Sequence, residues 1–159
     1  MPSLSRMPGK RRPTDANDHL NRDGYIWLNV LSGRFGADIE RICAAHDLTE
    51  AHYRVLWVLC LSPSRAPLAM GDIVDGVINK ASDMTRLVDK LERLGHVVRS
   101  ASTVDKRRVL VKATPGGRRV FRAITSEVKK VHYSQWAGLD ADELRTLVGL
   151  LKKAMRGAE

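Results

Sequence analysis

The chain has 159 residues, 27 Lys and Arg against 18 Asp and Glu, and a formal net charge of +9. Its 43% hydrophobic content suits a buried core and argues against wholesale disorder. Two cysteines, Cys43 and Cys60, are too few for a disulfide framework or a zinc site, and the longest apolar run, Val55 to Leu61, has seven residues where a membrane span needs about 20.

Residues 1–18 read as a flexible basic arm. Arg6, Lys10, Arg11 and Arg12 stand there with no acid in 1–13, which gives +4 of the total. Such an arm can grip a DNA backbone or merely aid solubility. No apolar segment follows it, so no secretory signal is expected and the protein reads as cytoplasmic, without a membrane partner. From Leu20 to Ala45 the residues Tyr25, Leu28, Leu31, Phe35, Ile39 and Ile42 form one stripe of a long helix. Gly24, Gly33 and Gly36 weaken it by about 1 kcal/mol each where exposed, so packing must support it. Thr49 caps a second helix that runs to Leu61 and is apolar on nearly every side, as a central helix should be. Ser62-Pro63-Ser64 breaks it, and a short third helix, Ala69 to Gly76, follows with Ile73, Val74 and Val77 inward.

Asn79 is expected to cap a fourth helix reaching Leu94. Met84, Leu87, Val88, Leu91 and Leu94 form its apolar stripe; Ser82, Asp83, Thr85, Arg86, Asp89 and Lys90 form the opposite face. Gly95 sits where a left-handed cap belongs. The period then changes to two. His96–Arg99 reads as a strand, Ala101–Lys106 as a turn, and Arg107–Ala113 as a return strand with Val109, Val111 and Ala113 on one face. Thr114-Pro115 opens a helix to about Trp136 with Val120, Phe121, Ile124, Val128 and Val131 inward. Asp140 and Glu143 start a last helix carrying Leu144, Leu147, Val148, Leu151 and Met155.

A short helix, an amphipathic helix and a basic-tipped hairpin spell a winged helix-turn-helix. The predicted fold is mainly α with a small β-hairpin wing. A major groove about 12 Å wide admits one helix, which needs an apolar face to dock and a polar face to read. Residues 79–112 hold nine basic groups against four acids, so nearly all the charge outside the arm lies on this unit. Lys80, Ser82, Thr85, Arg86 and Lys90 are candidate DNA contacts on the helix, and Lys106, Arg107 and Arg108 on the wing. Asp105 is expected to position Arg107 through a charge-assisted hydrogen bond, since a carboxylate repels phosphate. Asp83 on the reading face, and the possible pairing of Arg86 with Asp89, are left open by the sequence.

The segment Asp105-Lys-Arg107-Arg-Val-Leu-Val111-Lys-Ala113-Thr114 resembles the wing of the multiple antibiotic resistance regulator (MarR) family, Asp-x-Arg-x-x-x-Val-x-Leu-Thr, departing from it at Ala113. Asn79 to Gly95 resembles that family's recognition helix, and Leu48-Thr49 with Tyr53-Arg-Val-Leu56 the entry to its second helix. The resemblance covers about residues 20–157. It implies a homodimeric, sequence-specific regulator, usually a repressor on a pseudo-palindromic double-stranded operator, released by a small aromatic or anionic effector. The implied division is a winged domain at 48–114 and a helical dimerisation region at 19–47 and 115–159. The long apolar stripes of the first and last helices suit that role independently.

Tyr25, Trp27, Tyr53 and Trp57 are candidates for an effector pocket, with core or dimer packing as the alternative for each. Cys43 or Cys60 could make the protein a redox sensor; burial as small core residues is the alternative. A non-specific architectural DNA-binding protein would need charge alone. The five histidines lack metal-ligand spacing, so no metal or other cofactor is expected. No nucleophile–base pair or Gly-rich phosphate loop suggests an enzyme.

Overall fold

The structure is a computed structural model that describes residues 15–63, 66–77, 83–103, 105 and 107–157. Its elements are α1 (Asp15–Ala44), α2 (Glu50–Leu61), β1 (Leu68–Ala69), α3 (Met70–Gly76), α4 (Met84–Arg93), β2 (Val97–Ala101), β3 (Val109–Ala113), α5 (Pro115–Gln135) and α6 (Ala141–Arg156). The chain divides into two compact units after Phe35, so α1 contributes to both. In the first unit α1 carries Leu20, Tyr25, Trp27 and Leu28, all exposed.

Local signals set most element ends in the second unit. Thr49 stands in extended conformation (φ −103°, ψ 166°) and accepts from the His52 amide, while its own amide donates to His52 Nδ1. That is a capping box with histidine in the place of the usual acid or amide. Thr114 Oγ1 accepts from the Gly117 amide at 3.0 Å, with Pro115 in the first turn of α5. Asp140 accepts from the Asp142 and Glu143 amides, and Glu143 closes the box back onto the Asp140 amide. The α1–α2 corner turns on Asp47 in the left-handed region (φ 57°) and on a 2.7 Å bond from the Glu50 amide to Glu40.

The sheet has the order β1-β3-β2, all antiparallel, with Val97 opposite Ala113, Ala101 opposite Val109 and Leu68 opposite Val111. Fully buried Val55 and Leu56 of α2, Ile73 of α3, Val88 and Leu91 of α4, Val111 of β3 and Ile124 of α5 share one core. Each such aliphatic side chain contributes about 1.5–3 kcal/mol by leaving water. Ala113 is buried in this core, so the residue that departs from the family's wing pattern still packs inward.

Four expectations need correcting. α1 begins at Asp15, inside the stretch read as an arm. α4 begins at Met84 and is capped by Asp83, whose carboxylate accepts from the Arg86 amide at 3.2 Å; Asn79 lies outside the described residues. β2 extends to Ala101, so the turn is tighter than the sequence suggested. β1 was not anticipated, because a two-residue strand carries no readable period.

His52 is buried, and burial lowers its pKa below the usual histidine value, helped by the Lys90 ammonium and opposed by Glu40 and Asp47. Burial lowers that of His96 as well. The unfolded chain therefore binds more protons than the native one near the ordinary histidine pKa. Stability is present above that value and lost as pH falls through it. The melting temperature should drop between about pH 7.5 and about pH 5.5. His52→Gln keeps an acceptor for the Thr49 amide without the titration, so its drop should be smaller. An equal drop in both proteins would remove His52 from the account.

Candidate nucleic-acid interface and cavity

α4 docks through Met84, Val88 and Leu91, which are buried, and leaves Thr85 and Arg86 exposed in its first turn. The Arg86 side chain is 86% exposed and pairs at 2.7 Å with Asp83, not with Asp89. Asp83 thus caps the helix and steers its neighbour, which accounts for an acid on this face. Lys90 is directed at its own protein: its ammonium pairs with Asp47 at the α1–α2 corner at 3.4 Å. Lys80, Ser82 and Lys106 lie outside the described residues.

The wing is shaped by backbone hydrogen bonds. Ser102 and Arg108 bond across its neck at 3.0 Å, and the Arg108 amide donates to the Asp105 carbonyl at 2.9 Å. Ser102 Oγ accepts from the Asp105 amide. Asp105 Oδ1 accepts from the Arg107 backbone amide at 3.0 Å. The carboxylate therefore positions Arg107 by bending the chain, where the sequence suggested a bond to the guanidinium. Arg107 and Arg108 are exposed beyond it.

Arg99 was missed as a site residue and counted only as charge. It faces Val111 across the ladder, and its guanidinium reaches Asp89 at 2.6 Å and Glu92 at 2.7 Å on α4. The Glu92 carboxylate also accepts from the Arg99 amide at 3.1 Å. Burial lowers the Arg99 pKa, but the bonds to Asp89 and Glu92 outweigh it and raise it overall. The signal for this pairing is two acids one turn apart on α4, facing a strand that returns past them.

A cavity of about 500 Å³ is walled by Ile39 of α1, Tyr53 and Trp57 of α2, and Phe121 and Val128 of α5. The Tyr53 ring lies 5.8 Å from Phe121 and 6.4 Å from Trp57, near parallel to both. Arg54 and Lys129 supply its positive groups and His132 a ring edge, and Glu50, which also lines the cavity, holds Arg54 at 2.6 Å. Tyr53 bonds Thr125 at 3.2 Å. Burial raises the Tyr53 pKa, so the phenol stays protonated. Tyr53 and Trp57 thus share one cavity, whereas Tyr25 and Trp27 belong to the first unit, where both are exposed.

Cys43 is fully buried, and its thiol pKa is pushed up to about 12 by burial, then by Glu40 and Glu50. That is the reverse of a reactive thiolate. Cys60 is partly buried on α2. Among the described residues no cluster of three or more His, Cys, Asp or Glu side chains could hold a metal, and no helix is long and apolar enough to cross a membrane.

A helix with an exposed polar first turn, tied to a two-stranded wing, defines a winged helix-turn-helix DNA-binding module. Residues 46–108 match the model of the MarR family. A Thauera aromatica protein assigned to regulation of the hcr operon is 32% identical over 87% of this chain and 83% of its own length. The multiple antibiotic resistance protein MarR of Escherichia coli is 32% identical over 69% of this chain and 74% of its own. A cysteine-to-serine mutant of E. coli MarR, solved with operator DNA, superposes with a TM-score of 0.74 at 26% identity, covering 89% of this chain and 99% of that one. The chain belongs to the MarR family: it is a DNA-binding transcriptional regulator and not an enzyme.

Proposed function

We propose that the protein is a homodimeric repressor that binds a pseudo-palindromic operator and is released by an aromatic, anionic small molecule. The first turn of α4, with Thr85 and Arg86, would enter the major groove, and Arg107 and Arg108 of the wing would hold the backbone or the minor groove. Lys80, Ser82 and Lys106 would extend those contacts. Lys90 would contribute field more than contact, given its bond to Asp47. Residues 48–114 would form the DNA-binding domain, and 19–47 with 115–159 the dimerisation region.

α6 supports the dimer: it buries none of its residues, and Leu144, Leu147, Val148, Leu151 and Met155 line one face of it, half-buried or exposed. Exposed apolar stripes of this kind usually mark association. The observation that carries the release mechanism is the cavity. Three stacked aromatic rings beside Arg54, Lys129 and His132 suit a flat ring bearing a carboxylate. The cavity also borders α2, which shares its core with α4. The burial and raised pKa of Cys43 weigh against a redox sensor built on it.

The test is selection of duplexes from a randomised library, then anisotropy titration with benzoate, hydroxybenzoates and phenylacetate. We expect a two-fold site with half-site centres about 10 bp apart. At least one acid should release the DNA and raise the melting temperature of the free protein. Equal affinity for unrelated duplexes would leave only an architectural protein; no response to any acid would remove the effector.

A further inference from the structure

We infer that Arg99 is a positioning residue that fixes the wing relative to the recognition helix, and that it does so without touching DNA. The inference rests on the reading of α4 and the wing as the DNA-contacting surfaces. Arg99 leaves β2 on the same, inward face as its cross-strand partner Val111, and its side chain is only 25% exposed. Its guanidinium forks between Asp89, one turn above Arg86, and Glu92, one turn further along α4. Glu92 holds both ends of the residue, accepting from the backbone amide at 3.1 Å and from Nη1 at 2.7 Å. The core holds the base of the β2–β3 hairpin through Val97, Val111 and Ala113, and the fork adds the polar link from β2 to the outer side of α4. The fork ties β2 to α4 at two carboxylates, and planar guanidinium geometry resists rotation in a way an ammonium cannot.

The arrangement explains why two acids are kept on a helix that must approach phosphate. Asp89 and Glu92 are half-exposed, and each adds unfavourable field toward a polyanion. If their only effect were electrostatic, removing them would tighten DNA binding. If they anchor Arg99, removing them loosens the wing and weakens binding. The two accounts predict opposite signs.

The experiment uses the full chain and a duplex selected by the wild-type protein from a randomised library. Asp89→Ala with Glu92→Ala should weaken binding about tenfold, despite removing two negative charges. Arg99→Gln should do the same, and Arg99→Lys should not restore affinity, although it keeps the charge. The decisive readout is a double-mutant cycle with Arg107→Ala. Acting through the wing, Arg99→Gln should absorb most of the Arg107→Ala penalty. Tighter binding by the Asp89/Glu92 variant would overturn the inference and leave the two acids a purely electrostatic effect; full rescue by lysine, or additive penalties, would overturn it and make Arg99 a phosphate contact. Arg99→Gln binding as tightly as wild type would also overturn it. Melting curves separate a lost fold from a lost clamp, and the lysine variant, which keeps the stem and charge, covers the case where glutamine unfolds. If the wild-type protein selects no duplex, the DNA-contact reading itself fails and takes the clamp's role with it.

Discussion

Gly117→Ala is expected to destabilise the protein by about 3 kcal/mol or more, lowering the melting temperature by roughly 10 °C. A β-carbon there would lie 2.0 Å from the carbonyl oxygen of His96, and backbone cannot rotate away as a side chain can. The contact closes the junction at which β3 ends, β2 begins and α5 starts. Thr114 bonds the Gly95 carbonyl there at 2.7 Å, and the Thr114 amide donates to His96 at 2.9 Å. Helix propensity alone gives the opposite sign, since alanine in a helix is favoured over glycine by about 1 kcal/mol. Gly116→Ala is the control. Its nearest neighbour would be Thr114 Oγ1 at 3.4 Å, so it should be neutral or slightly stabilising. Calorimetry of the two variants decides. Equal stability of Gly117→Ala and wild type would show that the junction is looser than its geometry.

The second large effect is on DNA. Arg107→Ala combined with Arg108→Ala should weaken operator binding on the order of 100-fold, with little change in stability. Both side chains are exposed, so no core is disturbed. If each guanidinium displaces one condensed counterion, the slope of log affinity against log salt should flatten by about 2 per protomer. Where the wing holds the backbone, the ranking of operator variants should survive, because phosphate contacts carry no sequence information; a changed ranking would place the wing in the minor groove. An unchanged slope would take the wing off the contact surface.

How far the sequence could be read depended on whether a signal was local. The caps at Thr49, Thr114 and Asp140 act within a few residues, and each was legible from residue type and spacing. The apolar stripe of α4 was legible too, because one face of one helix buries together. What escaped depends on partners distant in the chain or on alternatives of equal local merit. Asn79 and Asp83 are both good caps, and only the packing of Met84 shows where the regular helix begins. β1 exists only because β3 offers it an edge. At the candidate site, the exposure of Thr85 and Arg86 was readable. The attachment of Lys90 to Asp47, 43 residues away, was not. Nor was the Arg99 fork, which forms only once a strand folds back along the helix before it.

The short chain of hydroxyls beside the cavity bears on selectivity. Thr125 gives its proton to the Phe121 carbonyl at 2.7 Å, so in the 3.2 Å contact with Tyr53 it can only accept, and the phenol must donate. The Tyr53 hydroxyl has then spent its proton and offers lone pairs alone. A guest with a hydroxyl or N–H near this wall gains a partner. An otherwise identical guest carrying a methoxy group or a second carboxylate there meets lone pairs with lone pairs. The cavity is thereby polarised, with acceptors along the Tyr53 wall and cations at Arg54 and Lys129. That asymmetry would sort ring substituents by position as well as by size.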